Sequence, residues 1–119
     1  MIFDNYKRYL EFIEKKKVEL RGEYGSILTM EGYVRNYHVK DGKKIPAEKM
    51  VINKEVIDKI KDIPQIAKEK YNLLEVVIFH NYGELKVGER ITSITIFSRH
   101  RYEAFEAIKY IIDEIKKFH

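Results

Sequence analysis

The segment that most restricts the fold is the C-terminal third. There a β-branched run, Arg90 to Phe97, gives way within four residues to an apolar stripe at helical spacing. The run reads as a strand. Ala104, Ile108, Ile111, Ile115 and Phe118 then fall on one side of a helix over 102–118, with Phe105 and Ile112 beside them, and such a stripe is core. Between the two lies Ser98-Arg99-His100-Arg101 at a strand-to-helix junction, a place where functional side chains concentrate. Three basic residues there oppose the partial positive charge of a helix start, at about 0.3–1 kcal/mol each when exposed. Either the side chains splay into solvent, or the N–H groups and cations together receive a phosphate or carboxylate.

The rest of the chain mixes helix and strand without repeats, an α+β pattern. Phe3, Tyr6, Leu10 and Ile13 predict a helix over 3–17, with Lys15, Lys16 and Lys17 in its last turn. Tyr24 to Asn36 alternates and predicts a strand leading to Arg35, and Asp41-Gly42 marks a turn. Residues 45–52 suggest another strand. Asn53 is placed to cap a helix carrying Val56, Ile57 and Ile60, and Pro64 to end or kink it. Leu74 to His80 and Arg90 to Phe97 read as a paired hairpin whose long connection contains Gly83 and Gly88.

At 119 residues the chain can bury a core without staples, and one domain over 1–119 is expected, an N-terminal helix (1–20) followed by the main body (24–118). The absence of cysteine excludes disulfides, zinc–thiolate sites and cysteine nucleophiles. Without a signal-like or membrane-spanning segment, the expectation is a cytoplasmic protein with no membrane partner. Lys plus Arg outnumber Asp plus Glu by 23 to 19, a net +4, so anionic partners are mildly favoured. The four histidines lack metal-ligand spacing, no phosphate-loop pattern occurs and no nucleic-acid module is legible, so neither a metal nor a cofactor nor nucleic acid is expected.

Three blocks in order carry a family resemblance. Ser98-Arg99-His100-Arg101-Tyr102-Glu103-Ala104-Phe105 resembles the His-Arg-x-x-Ala-Phe signature of MoaE, the large catalytic subunit of molybdopterin synthase. Glu31-Gly32-Tyr33-Val34-Arg35-Asn36 resembles its Gly-x-Val-Arg-Asn segment, and His80 to Glu89 its glycine-containing turn, with Asn81 where the family commonly has Arg. The resemblance implies an α/β hammerhead-type fold, with a mixed sheet, packed helices and a small additional antiparallel sheet. It also implies a homodimer, within a heterotetramer completed by a small ubiquitin-like sulfur carrier of the MoaD kind.

The activity implied is conversion of precursor Z, the cyclic pyranopterin monophosphate, to the dithiolene molybdopterin. The sulfur comes from the thiocarboxylated C-terminus of the carrier. Carried over by position, Arg35, His100 and Arg101 become substrate-binding residues, the arginines for phosphate or oxyanion contacts and His100 for proton transfer as well. The family pattern continues past the last helix with a Pro-aromatic-Trp-Lys segment, and Lys116 and Lys117 are the residues here that could stand in for its catalytic lysine. The alternative is a non-catalytic relative that binds a phosphorylated pterin or a ubiquitin-like partner.

Overall fold

A computed structural model describes residues 1–118. In chain order the elements are β1 (Ile2–Phe3), α1 (Tyr6–Glu19), β2 (Ser26–Tyr33), β3 (Tyr37–Lys40), β4 (Lys43–Pro46), β5 (Lys49–Ile52), α2 (Glu55–Lys59), α3 (Ile63–Lys70), β6 (Glu75–His80), β7 (Gly83–Lys86), β8 (Arg90–Ser98) and α4 (Arg101–Lys116). The main sheet has the order β1-β6-β8-β2, and two antiparallel pairs, β3–β4 and β5–β7, stand apart from it. The α+β architecture with a mixed sheet is as expected, but the small additional sheet is two sheets.

The central strands are apolar on both faces because both faces are covered. Val76, Ile78, Ile94 and Ile96 meet Ala104, Ala107, Ile111 and Ile115 of α4 and Ala67 of α3. On the other side Val77, Phe79 and Phe97 meet Tyr9 and Ile13 of α1. Alternation along β6 and β8 delivers these two sets to opposite faces. β2 pairs antiparallel with β8 from Ser26↔Ser98 to Tyr33↔Arg90, and its other edge has no partner strand among the described residues.

Several boundaries differ from the sequence reading. The first helix begins at Tyr6, where Asn5 Oδ1 accepts from the Arg8 amide at 3.0 Å, and Phe3 lies in β1, parallel to β6. The strand expected over 45–52 is two strands in different sheets, because β4 returns to β3 while β5 pairs with β7. β7 lies inside the connection of the expected β6–β8 hairpin. The helical run is broken before Ile66 and Ala67 as expected, between Lys59 and Ile63, but Pro64 starts the second helix rather than ending the first. It occupies the first turn of α3, where the missing N–H has no intrahelical acceptor to lose. Along α4, Ala107 is fully buried, whereas Phe105 and Phe118 are 51% and 42% exposed, so the stripe is narrower than its apolar residues suggest.

Asp41-Gly42 behaves as its sequence indicates. Both residues have positive φ, 52° and 76°, the geometry of a two-residue turn matched to strand twist.

One buried hydroxyl chain links α1 to the sheet: Tyr9 to Thr95 at 2.6 Å, and Thr95 to Thr29 at 2.9 Å. Tyr9 is 1% exposed, and burial pushes its phenol up to about 12 from 10.0. A folded-state pKa above the unfolded one stabilises fully below pH ~10, and the term is lost as pH rises through about 12. The stabilisation is on the order of 3 kcal/mol. Urea midpoints followed from pH 9 to 12 should fall more steeply for the parent than for Tyr9→Phe. Equal slopes would exclude Tyr9 as the source.

Candidate functional site

The strand-to-helix junction is built by small polar groups. Ser98 is fully buried, and its Oγ donates to the His100 carbonyl oxygen at 2.8 Å. That spends its only proton, so Ser26 Oγ is the donor in the 2.8 Å contact between the two serines. The Gly25 amide donates to the Ser98 carbonyl at 2.9 Å. His100 occupies the N-cap of α4 with extended backbone and no side-chain cap bond, leaving first-turn N–H groups open to another acceptor. Arg99, His100 and Arg101 are all exposed around a cavity of about 330 Å³ that also touches Gly25, Ser26 and Tyr102. Arg101 stacks on Tyr102, its guanidinium carbon 4.9 Å from the ring centre.

Gly25 is needed here for space, not for backbone freedom. A Cβ at this position would collide with the Arg99 carbonyl oxygen, and backbone cannot yield as a side chain does. Gly25→Ala should cost about 1–3 kcal/mol and displace Arg99 and His100 as the junction opens. Chemical denaturation measures the first, and the NMR chemical shifts of the Arg99 and His100 amides the second. A variant as stable as the parent would contradict the packing.

Arg35 lies at the other end of β2. The β2–β8 register shifts between Gly32 and Tyr33, where Ile91 of β8 is the extra residue, and such a bulge bends and twists the strand pair at this end. Val34 turns inward, its amide donating to the Glu89 carbonyl at 2.9 Å, and Arg35 emerges exposed. It borders a cavity of about 410 Å³ that also touches Lys49, His38 and the rings of Tyr33 and Tyr37. The Arg35 guanidinium lies 4.9 Å from the Tyr37 ring centre, a contact that orients it. Tyr33 is held from behind: its hydroxyl donates to Glu31 at 2.7 Å and accepts from Arg90 at 3.0 Å. The Glu31 carboxylate raises the Tyr33 pKa above its usual 10.0. Arg90 is itself seated 3.8 Å from the Tyr6 ring centre.

Within one chain the sequence-derived residues therefore form two groups. His100 and Arg101 adjoin Ser26, whereas Arg35 follows Tyr33, and the eight residues of β2 span about 25 Å. Lys116 and Lys117 lie toward the Arg35 end, because α4 runs back along the sheet and Phe118 borders a cavity shared with Met50 and Ile52 of β5. Both lysines are exposed, and Lys117 Nζ is 3.0 Å from Glu114 Oε1. His80 is fully buried with Nδ1 2.7 Å from the Asn81 carbonyl oxygen. Asn81 braces the same turn, its Nδ2 donating to the Arg90 carbonyl at 2.8 Å. Tyr37, His38 and Lys49 were not legible as site residues: Tyr37 and His38 follow Arg35 closely but carry no motif of their own, and Lys49 comes from a different strand.

Comparison with known proteins identifies the family of the chain. A family model described as MoaE protein matches residues 7–118. The chain is 41% identical over 119 residues to an uncharacterised protein of Methanocaldococcus jannaschii, covering 100% of both. It is 40% identical over 98 residues to a molybdopterin synthase catalytic subunit of Thermoplasma volcanium, covering 82% of this chain and 70% of that one. Among solved structures, molybdopterin synthase from Staphylococcus aureus matches with a TM-score of 0.65 at 25% identity, covering 87% of this chain and 75% of that chain. With a family model that matches residues 7–118 and a molybdopterin synthase catalytic subunit 40% identical over 82% of this chain, the chain belongs to the MoaE family.

Proposed function

We propose that the protein is the catalytic subunit of a molybdopterin synthase, acting in molybdopterin biosynthesis. In this reading it converts cyclic pyranopterin monophosphate to the dithiolene, with sulfur from the thiocarboxylated C-terminus of a small ubiquitin-like carrier. The observation that carries the reading is the pair of cationic clusters at the two ends of one free sheet edge. Substrate phosphate and carrier tail are both anionic, and guanidinium groups suit both. Arg35 and Arg101 would hold phosphate and developing oxyanions, and His100 would donate or accept a proton. Lys116 and Lys117 are the terminal candidates for an ammonium. The name of the Thermoplasma relative, a catalytic subunit, supports the need for a second subunit.

The 25 Å separation supports a homodimer as the working form. Two copies of β2 paired antiparallel across a two-fold axis would lay the Ser26 end of one against the Tyr33 end of the other. Arg35 of each copy would then meet His100 and Arg101 of the second.

The test is conversion of cyclic pyranopterin monophosphate by the full chain with a thiocarboxylated carrier, read as dithiolene formed. Product is expected. Tight pterin binding without product would favour the non-catalytic alternative, and neither binding nor product would overturn the reading.

A further inference from the structure

We propose that Lys49, from β5, is the second fixed cation that one chain supplies to the Arg35 cavity and grips the phosphate of a phosphorylated ring bound beside Tyr33 and Tyr37. The proposal deepens, and rests on, the reading of this cavity as the anion site. Lys49 and Arg35 border the same cavity of about 410 Å³, and neither Lys116 nor Lys117 does.

Four observations converge. Among the described residues, Arg35 and Lys49 are the two permanent cations that one chain places on this cavity; the pair matches an opened phosphate monoester, with between one and two charges at neutral pH, and exceeds the single charge of a cyclic diester. Lys49 stands at the start of β5, anchored by β5–β7 pairing through Lys49↔Lys86 and Ile52↔Gly83. A strand end holds its side chain more steadily than the last turn of a helix does. Its present partner is weak: Nζ lies 3.6 Å from Glu84 Oε2, with the two side chains 57% and 59% exposed. Such a pair contributes little and yields to a stronger anion. Lys117, by contrast, is engaged at 3.0 Å with Glu114, whose side chain is only 27% exposed.

The cavity also has the character of a ring pocket. Cations already lie over these rings, Arg35 at 4.9 Å and Lys44 at 4.6 Å from the centre of Tyr37 and Arg90 at 5.3 Å from that of Tyr33, so a ligand ring meets their edges rather than open faces. Tyr33 is locked by Glu31 and Arg90, so one wall is rigid. Val34 and Ile91 supply apolar surface between them. A heterocycle bound at the edges of these rings would bring an attached phosphate toward Arg35 and Lys49, which line the same cavity.

The experiment separates this proposal from the functional reading by using two probes on the full chain. Pyrophosphate, titrated by calorimetry, reads the anion site, and cyclic pyranopterin monophosphate reads the substrate assignment. Lys49→Ala should weaken pyrophosphate binding about tenfold, Lys49→Arg should restore it to within about threefold, and Lys116→Ala with Lys117→Ala should leave it within about twofold. The loss should shrink as salt rises. Parental affinity in Lys49→Ala, an equal loss in the terminal double variant, or no pyrophosphate binding by the parent would each overturn the proposal. If pyrophosphate behaves as expected and the pterin does not bind, the Lys49 site stands and the substrate assignment fails.

Discussion

Arg35→Ala and Arg101→Ala are each expected to lower dithiolene formation by about 10²-fold or more, and a co-expressed mixture of the two to recover about a quarter of the parental rate. The single losses follow from removing a positioned guanidinium from a site where negative charge develops. Both side chains are exposed, so folding should be nearly unaffected. The recovery is a consequence of geometry. If each site takes Arg35 from one copy and Arg101 from the other, a mixed dimer has one site lacking both arginines and one site intact. Half of randomly assorted dimers are mixed, and half of their sites are whole, which makes about a quarter. A site contained in one chain would give no recovery at any mixing ratio. That outcome would dismiss the composite site, whatever the single variants do.

Phe97→Ala should destabilise the fold by about 3–5 kcal/mol, a large fraction of what a domain of this size typically has. Phe97 is fully buried on the α1 side of β8, and its ring meets Tyr24 edge-on with centres 5.5 Å apart. Its neighbours Val77 and Phe79 sit on β6, and Tyr9 and Ile13 on α1. Two of these are held by backbone pairing and cannot collapse into the space, so the cavity term persists in addition to the lost transfer energy. Because Phe97 directly precedes Ser98, the damage reaches the junction that presents His100. Denaturant midpoints measure the first effect, and Phe97→Leu, which keeps most of the volume, should lose less than half as much. A drop below 1 kcal/mol for Phe97→Ala would mean that this face repacks freely.

The local chemistry of the chain already declared most elements. Asp41-Gly42 announced its turn because both residues tolerate positive φ, and the β-branched run before Ser98 announced β8. What misled were side chains whose surroundings are remote in sequence. Phe3 fits a helical period but is drawn into β1 by pairing with β6. Pro64 reads as a breaker and serves as a starter because the chain turns before it. Phe105 and Phe118 match the stripe of α4, yet the helix has room for only Ala104, Ala107, Ile111 and Ile115 against its neighbours.

The candidate site divides the same way. Sequence alone determined the identity of the basic residues, the exposed junction before α4 and, through three motif blocks, the family. Those are properties of contiguous residues, and contiguous residues carry their own spacing and charge. Tertiary structure decided that Arg35 and Arg101 stand at opposite ends of β2, whose eight residues span about 25 Å, and that Lys49 rather than Lys116 or Lys117 shares the Arg35 cavity. Distances between strand ends depend on which strand pairs with which and in what register. No run of residues encodes that pairing locally, since it is the burial of β6 and β8 between α1 and α4 that selects it.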